Sequence, residues 1–274
     1  MIPRWNLGLV ARASLTGLLV AGCASTSDVF PYGHPDVERS LTRRVSETRI
    51  EQRRELFRKL EDLEARGAWL ERQLWVEGMP VLAEGKTLLV LARLAPVRPG
   101  ATAAFTIVAA PGPDPGTSAE ADAALTVLEL ASTWATAMRA QELPRAPFAL
   151  YFAALRESTA SAAGFGPIAE ADRGMIVVAI DASLPSGGLA LSRRADTASA
   201  ELAEVVRATA ENAAFATPGE LVPHAGEPAS IGATARSLMQ ASTGGVVVLS
   251  HAPDATARAA RVILAALLEL AARE

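Results

Sequence analysis

The chain has 274 residues, half of them hydrophobic, and a formal net charge of −4 at pH 7. Such a composition is typical of a globular protein with enough apolar side chains for one large core. The acidic balance gives no electrostatic reason to expect nucleic-acid binding.

The first 22 residues predict a signal peptide, because two arginines precede an apolar run that is too short to span a bilayer. Residues 19–23, LVAGC, contain the single cysteine of the chain and resemble the lipobox of bacterial lipoproteins. The resemblance implies cleavage before Cys23 and lipid attachment to Cys23. Since Ala24 follows, it also implies an outer-membrane location that faces the periplasm. A secretory signal with a chance cysteine is the alternative.

A tether and a long helix are predicted next. Residues 23–36 have the small and polar composition of a tether. From Val37 a helical stripe of apolar residues continues until Gly78, a plausible C-cap, which predicts a helix over about 37–77. Its arginines alternate with acidic residues, a pattern that favours a solvated face with ion pairs over a membrane-binding or partner-binding helix.

Strand and helix patterns then alternate along the chain. Continuous apolar runs predict strands that are covered on both faces. These runs are 87–94, 104–110, 148–155, 174–180 and 244–250. Helical segments are predicted over 118–141, 195–214, 230–241 and 254–272. The alternation predicts a single α/β domain over 37–274, a three-layer α/β/α sandwich with a mostly parallel mixed sheet. With one cysteine and hence no internal disulfide, this domain depends on its core.

Two polar residues stand where strands are predicted to end. His251 and Asp181 each directly follow a predicted strand, and the carboxyl edge of a parallel sheet is where ligands and catalytic groups collect. They are candidates for a cleft, or edge residues whose hydrogen bonds are satisfied internally. A serine hydrolase built on Ser250, His251 and Asp181 is excluded, since adjacent side chains on a strand point to opposite faces. The chain also lacks the nucleophile-elbow, P-loop, His-Glu-x-x-His and Cys-x-x-Cys motifs.

Five stretches, in the same chain order, resemble the zinc-dependent exopeptidases of clan MH, the di-zinc aminopeptidases related to glutaminyl cyclase. The stretches are an opening helix with the first strands (63–94), a strand, metal loop and helix (105–131), a strand that presents paired glutamates (148–158), a strand ending in a ligand aspartate (177–183) and a closing histidine loop with the C-terminal helix (246–271). The resemblance implies an aminopeptidase-like fold with metal ligands at the strand ends.

Carried over residue by residue, most of the family's ligands are missing. Their positions hold, in chain order, Pro111, Ala119, Leu155 and Arg156. Asp181 and His251 match, so each zinc would keep about one protein ligand of the roughly three that a catalytic zinc needs. Asp122 is expected in the first turn of a helix, where it would stabilise the helix N-terminus.

The resemblance therefore implies a lipid-anchored, aminopeptidase-like domain of the cell envelope, with no catalytic residue and no cofactor. We expect it to act as a binding or scaffold module for an envelope protein or a peptide, with Asp181 and His251 as vestigial metal candidates and Arg156 as a candidate partner for a carboxylate. The alternative is a divergent zinc-dependent aminopeptidase that acts on peptides in the periplasm. Its displaced ligands would be Asp114, Asp122, Glu157, Asp181 and His251.

Overall fold

The structure is a computed structural model. It describes residues 32, 34–60, 62–79, 81, 88–94, 104–110, 118–155, 172–211, 221–223, 238, 240 and 242–274. These residues belong to one compact unit, Pro31–Glu274. The predicted signal peptide, Cys23, most of the predicted tether and nearly all of the helix predicted over 230–241 lie outside the described residues.

The prediction of one N-terminal helix over about 37–77 is wrong, because three helices occupy this region. They are α1 (Pro35–Arg44), α2 (Glu47–Arg58) and α3 (Leu63–Val76). The breaks occur at Ser46 and Asp62, whose side chains accept hydrogen bonds from the backbone N–H three residues later, at 3.2 and 2.7 Å. Each residue is thus the N-cap of a new helix. The apolar stripe continues across both breaks because all three helices contribute side chains to the same core.

The described strands form one mixed sheet. They are β1 (Leu88–Leu94), β2 (Ala104–Ala109), β3 (Ala149–Leu155), β4 (Asp172–Ile180), β5 (Leu189–Arg193), β6 (Leu221–Pro223) and β7 (Gly245–His251). Their order in the sheet is β1-β3-β2-β4-β7-β5-β6. The central strands β3, β2, β4 and β7 are parallel, whereas β1 and β5 run antiparallel to their neighbours β3 and β7. The prediction of a mostly parallel mixed sheet is confirmed.

Three more helices complete the described structure: α4 (Ser118–Arg139), α5 (Thr197–Glu211) and α6 (Thr256–Ala272). They match three of the predicted helices. The main core lies between the sheet and α4 and α6, with Trp134, Phe148 and Phe152 fully buried in it. A second, smaller cluster covers the opposite face of the sheet, where Leu238 packs against Val108 and Val177. Of the described helices, none is long and apolar enough to cross a membrane.

A buried carboxylate joins the N-terminal helices to α4. The Glu129 side chain is fully buried and accepts hydrogen bonds from the Ser46 N–H at 2.9 Å, from Arg49 Nε at 2.8 Å and from Arg53 Nη1 at 2.9 Å. The Arg53 side chain is only 10% exposed. The prediction of a solvated arginine face is therefore wrong for Arg53, and also for Arg54, whose side chain is only 13% exposed. The partner of Arg53, Glu129, lies on α4, 76 residues later in the sequence. The alternating charges within α2 therefore do not reveal this ion pair.

Candidate functional site

The ends of β4 and β7 bring the two candidate residues to neighbouring positions. Ile180 and His251 are register partners across these parallel strands. The next residue, Asp181, donates its backbone N–H to the carbonyl of His251 at 3.0 Å. The prediction that both residues lie at the carboxyl edge of the sheet is therefore correct for the backbone. Their side chains make separate contacts.

The His251 imidazole is completely buried against α4. Its Nδ1 lies 2.8 Å from the carbonyl oxygen of Ala252, and its Nε2 lies 3.1 Å from Thr126 Oγ1. Because a carbonyl oxygen only accepts, Nδ1 carries the proton in the neutral ring, and the unprotonated Nε2 faces the Thr126 hydroxyl. Burial lowers the pKa of His251 to about 4, which keeps the ring neutral at pH 7. Both ring nitrogens thus have partners within the protein.

The Asp181 carboxylate closes the turn that follows β4. It is partly exposed, and its Oδ1 accepts hydrogen bonds from the backbone N–H and the hydroxyl of Ser183, at 2.9 and 2.5 Å. An aspartate that binds the backbone two residues later stabilises a turn of this type. This contact gives Asp181 a local structural role.

Arg54 of α2 is a member of this region that sequence reasoning missed. Its Nε donates to Asp122 Oδ1 at 2.6 Å, and its Nη2 donates to the Pro253 carbonyl at 3.3 Å and to Thr256 Oγ1 at 3.2 Å. The guanidinium therefore connects α4 with the loop after β7 and the start of α6. Arg54 also pairs with Glu51 in its own helix. The alternating charges of α2 do not distinguish this inward-facing arginine from the exposed ones.

Asp122 serves this ion pair, and not the helix N-terminus as predicted. Its side chain is only 2% exposed, and it lies in the second turn of α4, whose first residue is Ser118. Burial raises the pKa of Asp122, and the hydrogen bond and charge of Arg54 oppose that increase. Thr126 Oγ1 donates to the Asp122 carbonyl at 2.9 Å, so its one proton is shared between this carbonyl and His251 Nε2. Arg54, Asp122, Thr126 and His251 thus form a continuous set of contacts, which we call the edge cluster.

The loop after β7 is also held by internal contacts. Asp254 Oδ1 accepts the Gly187 N–H at 2.9 Å, and its other oxygen pairs with the Ser186 hydroxyl. These hydrogen bonds lower the pKa of Asp254. Arg258 Nη1 donates to the Gly187 carbonyl at 2.5 Å. The polar groups around the end of β7 therefore bind one another and join the β7–α6 loop to the turn before β5.

The described part of the edge does not fit a zinc site. No three His, Cys, Asp or Glu side chains of the described residues lie close enough together to hold one metal ion. Leu155, at a position where the family has a glutamate, is buried at the end of β3. The side chain of Ala119 and all of Pro111, Asp114, Arg156 and Glu157 lie outside the described residues.

Comparison with solved structures identifies the fold. The structure matches the LapA aminopeptidase of Legionella pneumophila with a TM-score of 0.65 and 8% identity, over 90% of this chain and 78% of that chain. The fold is aminopeptidase-like. A glutaminyl cyclase from Fimbriiglobus ruber matches with a TM-score of 0.60 and 11% identity, over 82% and 95% of the two chains.

The Bacillus subtilis YxeP protein, a dinuclear metal-binding peptidase of the M20 family, matches with a TM-score of 0.59 and 10% identity, over 86% of this chain and 99% of that chain. No protein-family model matches the sequence, and no curated protein matches it either. The aminopeptidase-like fold that the resemblance implies is therefore confirmed. Identities of this size support the fold alone.

Proposed function

We propose that this chain is a lipoprotein, anchored through Cys23 on the periplasmic side of the outer membrane, whose aminopeptidase-like domain binds an envelope protein or a peptide and does not hydrolyse peptides. The anchor rests on the LVAGC sequence at residues 19–23. The loss of activity rests on one observation: the polar side chains of the edge cluster contact one another and the neighbouring backbone.

The geometry of His251 supports the loss of metal chemistry. A histidine binds zinc through its unprotonated nitrogen, which in His251 is Nε2 because Nδ1 donates to a backbone carbonyl, and this Nε2 lies 3.1 Å from the Thr126 hydroxyl. To bind zinc, the ring would have to give up a buried hydrogen bond, which costs about 1–3 kcal/mol when a buried partner is left unsatisfied.

The charge of Arg54 acts in the same direction. It contributes to the lowered pKa of His251, which means that it opposes a positive charge on that ring. A divalent cation at the same place carries twice the charge of a proton and is opposed more strongly. Arg54 also pairs with Asp122, the buried carboxylate of the edge cluster.

The alternative function is a divergent zinc-dependent aminopeptidase. It is supported by the fold that the chain shares with LapA and YxeP, and it would use ligands such as Asp114 and Glu157, which lie outside the described residues. We propose the inactive binding domain over the active peptidase because it agrees with the contacts of the edge cluster.

The two proposals differ in a direct assay. The mature chain is purified in detergent with zinc in the buffer and incubated with a panel of amino-acid amides. We expect no turnover above a blank. Turnover that Asp181→Ala and His251→Ala both abolish would establish the peptidase alternative and refute our proposal. Mass spectrometry of the same protein tests the anchor, since an unmodified Cys23 thiol after export would refute lipidation.

A further inference from the structure

Two adjacent large apolar side chains at the end of α3 are exposed. Trp75 exposes 70% of its surface and Val76 exposes 68%, whereas the only other large apolar side chain among the described residues that is more than half exposed is Leu56 on α2. We call this pair the Trp75–Val76 patch. Tryptophan is enriched where a protein surface meets the headgroup region of a bilayer, because its ring is apolar and its N–H is polar.

The patch contacts the C-terminal end of α4. The carbonyl of Val76 accepts a hydrogen bond from Arg139 Nη1 at 3.3 Å, and Arg139 is the last residue of α4. The hydroxyl of Tyr32 donates to the carbonyl of Pro144 at 2.7 Å. Arg139 and Pro144 are five residues apart, a segment that spans at most about 18 Å. Val76 and Tyr32 therefore bind, respectively, the C-terminal end of α4 and the segment that follows it.

The chain before Tyr32 limits how far this side can lie from the anchor. The nine residues 23–31 can extend over at most about 30 Å. If Cys23 carries lipid, Tyr32 stays within that distance of the bilayer surface, and the patch is held near the bilayer as well.

Exposed cations accompany the patch. Arg72 is exposed and lies three residues before Trp75, so both share one face of α3. Arg145 is exposed and directly follows Pro144, which binds Tyr32. Basic side chains next to an interfacial tryptophan are attracted to anionic phospholipids. An apolar pair with an exposed arginine on the same helix face therefore fits a phospholipid surface.

We propose that the Trp75–Val76 patch inserts into the headgroup region of the membrane that anchors the chain, and so fixes the orientation of the domain on that membrane. This inference rests on the proposed lipid anchor at Cys23. It goes beyond that anchor because a lipidated cysteine on a tether leaves the orientation of the domain free.

The test places a fluorescent label at the patch and at a matched control position. The full chain carries an NBD label at Val76→Cys or at Ala208→Cys, and it is reconstituted into vesicles of equal parts phosphatidylethanolamine and phosphatidylglycerol, with or without doxyl-labelled lipid. Ala208 is exposed on α5, which packs on β7 and β5 near one edge of the sheet. In contrast, α3 packs on β1, the strand at the opposite edge. Mass spectrometry of the same samples reports whether Cys23 carries lipid.

We expect doxyl lipid to lower the emission from position 76 about twofold and to leave position 208 unchanged. Trp75→Ser should reduce the effect at position 76 to that at position 208. Equal emission changes at both positions, with lipid on Cys23, would overturn the inference and leave the anchor intact. A change at position 76 that depends on protein concentration and not on doxyl lipid would also overturn it, because a second copy would then cover the patch. An unmodified Cys23 would instead refute the anchor on which the inference rests.

Discussion

Replacing Arg54 by alanine should destabilise the domain, because it leaves the Asp122 carboxylate buried without its cation. Asp122 is 2% exposed and lies 2.6 Å from Arg54 Nε. Removing one partner of a buried ion pair costs about 3–5 kcal/mol. Since the Arg54 side chain is still 13% exposed, water reaches part of the site, and we expect the lower end of this range. With a slope of about 3 kcal/mol per molar urea, the midpoint should fall by about 1 M.

The effect of Arg54→Ala should also depend on pH. Burial raises the pKa of Asp122, and Arg54 opposes that rise, so the pKa should rise further in the variant. A carboxyl whose pKa is raised in the folded state stabilises folding at low pH and loses this contribution as pH rises through the folded pKa. The variant should therefore be most destabilised at pH 7, and its deficit should shrink as the pH falls and Asp122 is protonated.

Urea unfolding of the mature chain, followed by circular dichroism, measures both effects. Arg43→Ala is a suitable control, because Arg43 is exposed on α1 and its loss should change stability by less than about 0.5 kcal/mol. Asp122→Asn in the Arg54→Ala background should recover part of the lost stability by removing the unpaired charge. The reasoning is refuted if Arg54→Ala matches Arg43→Ala at pH 7, or if the stability deficit of Arg54→Ala does not change with pH.

Three further substitutions test other parts of the structure. Glu129→Gln should lower the free energy of unfolding by about 3 kcal/mol, because the buried Arg53 then keeps only the more distant Glu77 carboxylate, at 3.8 Å; a loss below about 1 kcal/mol in urea unfolding would contradict this. His251 has a pKa lowered to about 4, so the wild type should lose up to about 3 kcal/mol as pH falls from about 6.5 to 4, where the buried ring must gain a proton. His251→Gln should lack this loss. The prediction is wrong if the free energy of unfolding falls equally with pH in both proteins. Gly245→Ala should lower the melting temperature, because its Cβ would lie 2.6 Å from the Ala198 carbonyl oxygen, an overpacking that costs about 1–3 kcal/mol; an unchanged melting temperature would disprove the clash.

The central strands could be predicted from the sequence because parallel strands covered on both faces are continuous apolar runs. Such runs correspond to β2, β3, β4 and β7, and to the edge strand β1. The strands β5 and β6 were missed for physical reasons. The apolar run of β5 ends after three residues, at Ser192 and Arg193. The strand β6 has only three residues, and one of them is a proline.

The helix breaks at Ser46 and Asp62 had a local signal, since both residue types are preferred N-caps. The apolar stripe concealed that signal, because the same core face continues over α1, α2 and α3. A helical period that crosses two caps is thus evidence for a common buried face and not for one helix.

The site was harder to predict than the fold. Asp181 and His251 could be placed at the carboxyl edge because they follow strands, but their side-chain partners could not be predicted. Arg54 and Asp122 are 68 residues apart, and Arg53 and Glu129 are 76 apart. No periodic pattern relates charges at such separations, so local charge alternation wrongly favoured solvent exposure for Arg53.

The central claim is that the edge cluster replaces metal binding with internal contacts, and zinc binding tests it most directly. The mature chain is stripped with chelator, equilibrated with zinc, freed of excess by gel filtration and analysed for metal, in parallel with His251→Ala. Our account predicts no retained zinc and no difference between the two proteins. One or two zinc ions per chain, lost in His251→Ala, would contradict it.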